Sequence, residues 1–189
     1  MKASGTPVKD HRAIFLGAGS AGVGVARQIV EYFIKEGLTE EEARRKFWFV
    51  DSNVGALIFF GTKSRSNIQQ GLVTLDRGDK LAEHKVYFAR NDNDGKQIQS
   101  LSRLIDYVKP TILMGLSTIG GAFNKDILEQ MAGLNDKPVI FPLSNPSSKS
   151  ECTFEEAVRY TEGRALFASG SPFPSLEFNG KTLTPGQGQ

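Results

Sequence analysis

Apolar residues recur along the chain in two alternating rhythms. Ala13-Ile-Phe-Leu-Gly17 is a short continuous apolar run closed by glycine, and from Ser20 to Lys35 the positions Val23, Ala26, Ile29, Val30, Phe33 and Ile34 fall at helical spacing. The first rhythm is that of a buried strand and the second that of a helix with one apolar stripe, so a strand, a tight turn and a helix are expected in succession. Thr39 opens a second short helix reaching Lys46, with Glu42 three positions on. That spacing lets each side chain satisfy the other's free backbone N–H. Phe47-Trp-Phe-Val50 reads as the next buried strand, ending at Asp51.

Downstream the alternation continues. Val86 to Ala89 reads as strand, Ile98 to Val108 as helix, Thr111 to Leu116 as strand, Asn124 to Met131 as helix and Val139 to Leu143 as strand. Thr153-Phe-Glu-Glu156 repeats the capping spacing ahead of another helix, and Ala165 to Ala168 reads as a last strand. From Ser169 onward glycine and proline are dense and the periodicity fades. Continuous apolar strands alternating with amphipathic helices predict an α/β fold, a parallel sheet covered by helices on both faces. With 189 residues, 39% of them hydrophobic, the chain suffices for one sizeable core, so a single domain over 1–189 is expected.

Charge narrows the partners. The 23 basic and 21 acidic side chains leave a net +2, too weak a field to attract nucleic acid or an anionic membrane surface, while a small anionic ligand remains open. No apolar stretch approaches the roughly 18 residues that span a bilayer, so the chain reads as soluble. Cys152, the single cysteine, makes no internal disulfide and no cysteine-built zinc site, and reads as a small core or helix-start residue. His11 and His84 read as surface residues, since neither falls in a loop at the carboxyl edge of an expected strand.

The chemistry concentrates in the loops that follow the strands. Gly17-Ala-Gly19-Ser20-Ala21-Gly22 is a G-x-G-x-x-G directly after a strand and opening a helix, the context that a dinucleotide-binding fingerprint requires. The first glycine permits the turn, the second lets the backbone approach a pyrophosphate, and the third packs helix on strand; the phosphates then face the free N–H groups at the positive end of the helix. Asp51 closes the second strand, where a carboxylate accepts hydrogen bonds from the adenine ribose hydroxyls. It lies further beyond Gly22 than the usual offset of about 20 residues, and the extra helix from Thr39 to Lys46 accounts for the excess. Ser117-Thr-Ile-Gly-Gly121 and Ser144-Asn-Pro146 follow the next two strands, and both loops should border the same crevice. Ser117, Thr118 and Asn145 donate and accept hydrogen bonds without charge, although Gly-Gly and Ser-Asn-Pro are also ordinary turn punctuation.

Taken in order, Phe15-Leu-Gly-Ala-Gly-Ser-Ala-Gly22, Gly37-Leu-Thr-Glu-Glu-Glu-Ala43, Val50-Asp-Ser52, Gly115-Leu-Ser-Thr-Ile-Gly-Gly-Ala-Phe123, Leu143-Ser-Asn-Pro146, Ala168-Ser-Gly-Ser-Pro-Phe-Pro174 and Thr184-Pro-Gly-Gln-Gly188 resemble malic enzyme in order and spacing. The resemblance implies a Rossmann-like, doubly wound, mainly parallel sheet with helices on both faces. It also implies a parent reaction in which malate is oxidised by hydride transfer to NAD or NADP and decarboxylated to pyruvate with the help of magnesium or manganese. Gly17, Gly19, Ser20, Ala21, Gly22, Asp51 and Ser52 would hold the cofactor, with Arg77 on its phosphates and Ser117 and Thr118 beside it. Asn145 would meet the substrate or the nicotinamide side of the site. The complete enzyme is expected to be a soluble homo-oligomer of cytoplasm or mitochondrion.

Three departures qualify these expectations. The family's tyrosine and lysine acid–base pair and its acidic metal ligands lie upstream of this domain, so no catalytic residue and no metal ligand is assigned here. The chain is therefore expected to be truncated at both ends relative to the family and inactive by itself, which leaves a non-catalytic dinucleotide-binding or subunit-pairing module as the alternative. The family's asparagines after Gly-Gln-Gly are also missing. Finally, Val54 to Gln70 looks inserted between Asn53 and Gly71-Leu-Val73, beside Asp51. Ser52 and Lys85 occupy positions similar to those of NADP-using members, whereas Asp51 disfavours a 2′-phosphate. A different dehydrogenase with the same glycine fingerprint would not be expected to carry Ser169-Gly-Ser-Pro-Phe-Pro174 ahead of Pro185-Gly-Gln-Gly188.

Overall fold

The computed structural model describes residues 2–51, 71–76, 81–94 and 96–188. The expected alternation is present. Strand β1 (Ala13–Leu16) is buried along its whole length and runs through the glycine turn into helix α1 (Ser20–Lys35), which buries Val23, Ala26, Val30 and Phe33 on one stripe. Helix α2 (Glu40–Arg44) starts at a capping box: the Thr39 hydroxyl accepts from Glu42 N–H, and Thr39 N–H donates to Glu42 Oε2 at 2.8 Å. Strand β2 (Phe47–Asp51) follows and pairs antiparallel with the short β3 (Gly71–Leu72).

Helices α3 (Glu83–Val86) and α4 (Leu101–Val108) precede strand β4 (Ile112–Gly115), and helix α5 (Lys125–Leu134) leads to strand β5 (Val139–Pro142). Helix α6 (Phe154–Tyr160), again with a capping box at Thr153 and Glu156, leads to strand β6 (Leu166–Ser169). The chain ends in a hairpin of β7 (Leu176–Phe178) and β8 (Lys181–Leu183) and a short strand β9 (Gly186–Gln187) parallel to β6. The main sheet has the order β3-β2-β1-β4-β5-β6-β9. Except for β3 its pairings are parallel, and the order reverses direction between β1 and β4, which are neighbours.

Alternate residues of each strand feed different cores. On one face Phe15, Phe47 and Phe49 meet Phe33 of α1, with ring centroids 4.8 Å apart for Phe15 and Phe49 and 5.6 Å for Phe33 and Phe47. On the other face Ile14, Leu113 and Ile140 stand in register and pack with Leu104, Leu128 and Met131 from α4 and α5. Burying each such side chain contributes about 1.5–3 kcal/mol, so both faces anchor the sheet. Among the described residues no helix is long and apolar enough to cross a membrane.

Four expectations need correction. Val86 to Ala89 is not a strand: Val86 ends α3 and is 45% exposed, while Phe88 turns inward to lie 4.9 Å from the Phe49 ring. Its strand-like composition serves aromatic packing against β2, and pairing is confined to an isolated bridge between Thr74 and Arg90. The helix expected from Ile98 begins at Leu101, because the Ile98 carbonyl instead accepts from Leu72 N–H at 3.0 Å. The segment after Ser169 contains three strands, and Asn179-Gly180 turns the hairpin with both residues at positive φ. His11 is fully buried, its Nδ1 2.9 Å from Thr111 Oγ1.

Candidate functional site

The parallel register of β1 and β2 pairs Leu16 with Val50 and so brings Gly17 and Asp51 to the same edge of the sheet. Gly17 N–H donates to the Val50 carbonyl at 2.9 Å. Gly17 has φ +113, and a Cβ there would stand 2.4 Å from the Leu116 carbonyl oxygen at the end of β4, across the point where the strand order reverses. Gly22 is equally constrained, since a Cβ would meet the Gly17 carbonyl at 2.6 Å. At Gly19, by contrast, nothing lies within 4 Å of that position. The backbone there faces open space, with Gly19, Ser20 and Ala21 exposed.

The start of α1 is open in a second sense. Thr39, Asn124 and Thr153 cap α2, α5 and α6 with side-chain oxygens, whereas Gly19 caps the longer α1 with none. The first-turn N–H groups of α1 are thus left facing outward at the positive end of a 16-residue helix.

Asp51 receives Lys85, whose Nζ stands 2.8 and 3.0 Å from the two carboxylate oxygens, with both side chains 18% exposed. Lys85 is therefore an ion-paired group at the end of β2. The neighbouring His84 is exposed as expected, yet its Nε2 lies 3.2 Å from the Ala18 carbonyl, which sets α3 against the glycine loop at the carboxyl edge of β1. Ser52, Arg77 and the segment Val54 to Gln70 lie outside the described residues.

The two remaining loops meet beside this edge. Leu116 N–H donates to the Leu16 carbonyl at 2.8 Å and Leu143 N–H to the Gly115 carbonyl at 2.7 Å, so the loops after β4 and β5 continue the sheet. Thr118 is exposed and adopts a positive φ of 60°, but Ser117 is buried and its hydroxyl points inward to Glu151 at 2.7 Å. Asn145 is exposed, with Oδ1 accepting from the Ser171 hydroxyl at 2.6 Å, a bond that ties the β5 loop to the loop after β6. Glu151 escapes a reading of the sequence, and Ser144 and Ser171 fall within its motifs without a role of their own. Ser144 and Ser171 look like turn residues, and a glutamate ahead of a capped helix looks like a surface residue. Cys152 is buried, and burial pushes its thiol well up from the ordinary range, as befits a core residue. Among the described residues no group of three His, Cys, Asp or Glu side chains gathers to hold a metal ion.

The arrangement is that of a crevice at a topological switch point, with an open helix start on one side and uncharged polar groups on the other. Known proteins show the family. Residues 1–189 match the family described as "Malic enzyme, NAD binding domain". The chain is 47% identical over 182 residues to the NADP-dependent malic enzyme of Dictyostelium discoideum, covering 96% of the chain and 30% of that protein. It is 43% identical to the NADP-dependent malic enzyme of Anas platyrhynchos, over 96% of the chain and 29% of that protein. With NAD-dependent malic enzyme 3 of Bacillus subtilis (strain 168) the identity is 40%, over 98% of the chain and 31% of that protein.

Proposed function

The chain belongs to the malic enzyme family through its NAD-binding domain, and we propose that it binds NAD or NADP across the β1–β4 switch point as the cofactor module of an enzyme that converts malate to pyruvate and carbon dioxide. The observation that carries this reading is the open start of α1 behind Gly19, where the backbone leaves both space and unshared N–H donors. A pyrophosphate fits there on charge and on shape. Bound NAD(P) supplies the hydride acceptor.

The chain's own residues bind and orient. Gly17 and Gly22 hold the turn, and Gly19, Ser20 and Ala21 offer backbone to the pyrophosphate. Asp51 and Lys85 stand where the adenine ribose ends. Asp51 alone would accept from a 2′-hydroxyl, whereas Lys85 is drawn to a 2′-phosphate. Relatives named for either cofactor are similar to this chain, at 47% identity for an NADP-dependent and 40% for an NAD-dependent malic enzyme. Thr118 and Asn145 line the nicotinamide side, with the Asn145 amide oxygen held by Ser171 and its NH₂ left to donate to a carboxylate or carboxamide. Proton transfer and decarboxylation belong in this reading to groups of a full-length enzyme beyond those named here.

The test is a fluorescence titration of the purified chain with NADH and with NADPH, beside a Gly19→Asp control. Saturable binding that disappears in the control is expected. A folded chain that binds neither nucleotide overturns the reading.

A further inference from the structure

Glu151 is fully buried beneath the loops after β4 and β5. Its backbone is fixed from the far side, since its carbonyl accepts from Phe123 N–H at 2.8 Å where α5 begins. Its side chain runs beneath the loop after β4 and occupies the place where residue 115 would carry a Cβ. That position lies 2.3 Å from Glu151 Cδ and 2.5 Å from Oε2, so the strand must be glycine at Gly115 for the carboxyl group to enter. Oε2 meets no donor among the described residues. Satisfying both oxygens is therefore not what holds this group.

Among the described residues the carboxyl group is hydrogen-bonded through Oε1 alone. That oxygen accepts from Ser117 N–H at 2.8 Å, from the Ser117 hydroxyl at 2.7 Å and from the Ser144 hydroxyl at 2.6 Å. A hydroxyl has one proton, and having given it to Glu151 each serine has lone pairs left with which to accept. Ser117 Oγ accepts from Ile119 N–H at 3.1 Å, and Ser144 Oγ accepts from Thr118 N–H at 2.9 Å. The N–H groups of three successive residues thus converge, directly or through one hydroxyl, on a single buried oxygen. Converging backbone N–H groups of this kind make anion-binding concavities in other loops. Here the protein fills the concavity with its own side chain.

We propose that Glu151 is a positioning residue for the cofactor crevice: it clamps the loops after β4 and β5 into one rim and closes the β4 loop to phosphate. The inference rests on the cofactor reading above and deepens it. With its donors turned inward, the loop presents Thr118 outward and leaves the pyrophosphate to the start of α1, which fixes the direction in which a dinucleotide lies across the switch point.

Two variants of similar volume separate this role from mere filling. Glu151→Gln keeps an acceptor for all three donors, and Glu151→Met keeps the bulk and removes the acceptor. In the free chain, amide hydrogen exchange at Ser117, Thr118 and Ile119 should stay within about threefold of wild type for Gln and accelerate more than about tenfold for Met, with Ile14 and Ile140 unchanged. NAD(P)H affinity should fall about tenfold for Met and be largely rescued by Gln, because loop order is lost only when the acceptor is. If wild-type chain binds neither nucleotide the cofactor reading fails, while the exchange rates still decide the clamp. Gln behaving like Met, or Met like wild type, overturns it.

Discussion

His11 sits wholly inside the protein, with Nδ1 2.9 Å from Thr111 Oγ1 and Nε2 3.4 Å from Ser4 Oγ. Desolvation holds its pKa below the ordinary 6.5, and Asp10 opposes the effect. The unfolded chain therefore takes up a proton that the native state refuses. The stability this contributes is complete above pH 6.5 and is lost as pH falls from there through the native value. Urea unfolding from about pH 7.5 down to about pH 5 should show wild type losing stability more steeply than His11→Gln, and parallel curves would refute the assignment. Lys85 gives a second residue-scale expectation. Lys85→Gln should weaken NADPH binding by about tenfold and leave NADH within about twofold if a 2′-phosphate sits at the end of β2, since charge-assisted contacts of this kind are the strong ones; equal losses for both nucleotides would place the phosphate elsewhere. What the sequence discloses at this scale follows from locality. The glycine turn and Asp51 are placed by their own backbone and strand end, so their spacing announces where they stand. His11 and Glu151 act through partners up to a hundred positions away, such as Thr111, and read locally as polar surface.

At the scale of elements, helix starts carry the clearest signals because capping is written within four residues. The capping boxes at Thr39 and Thr153 form as their spacing predicts. Thr153→Ala should cost about 1 kcal/mol in chemical denaturation, and a neutral result would mean that the cap is redundant with packing. The glycine start of α1 predicts effects of opposite sign. Gly19→Ser supplies the missing side-chain cap and should stabilise the free chain by a few tenths of a kcal/mol while weakening nucleotide binding, since the space and N–H groups it takes are those the pyrophosphate needs. A variant that gains stability and keeps its affinity would move the phosphate away from Gly19. Strands are less legible. Val86-Tyr-Phe-Ala89 has strand composition but is spent on Phe88 filling the aromatic core, a tertiary demand that local pattern does not carry. The hairpin at β7 and β8 was legible in principle, through Asn179-Gly180, and is masked by the surrounding prolines and by strands of three residues each.

Across the whole molecule, one sheet is shared by two cores, while the candidate site occupies its carboxyl edge and leaves the cores intact. This separation makes fold and binding experimentally independent. Phe33→Ala removes a fully buried ring from the α1 face and should cost about 3–5 kcal/mol. Gly19→Asp, on an exposed loop with open space beside it, should leave the free chain close to wild type. Nucleotide at about a hundredfold its Kd should stabilise the native state by about 2.7 kcal/mol. For a domain of this size that is a rise in Tm of roughly 5–10 °C. The rise should survive in Phe33→Ala, whose Tm starts lower, because the altered ring lies on the flank of the sheet, away from the start of α1 proposed to take the phosphates. It should vanish in Gly19→Asp. Loss of the rise in the core variant as well would mean that binding draws on the packing of α1 along its whole length, and the edge of the sheet could no longer be treated as a site apart from the fold that carries it.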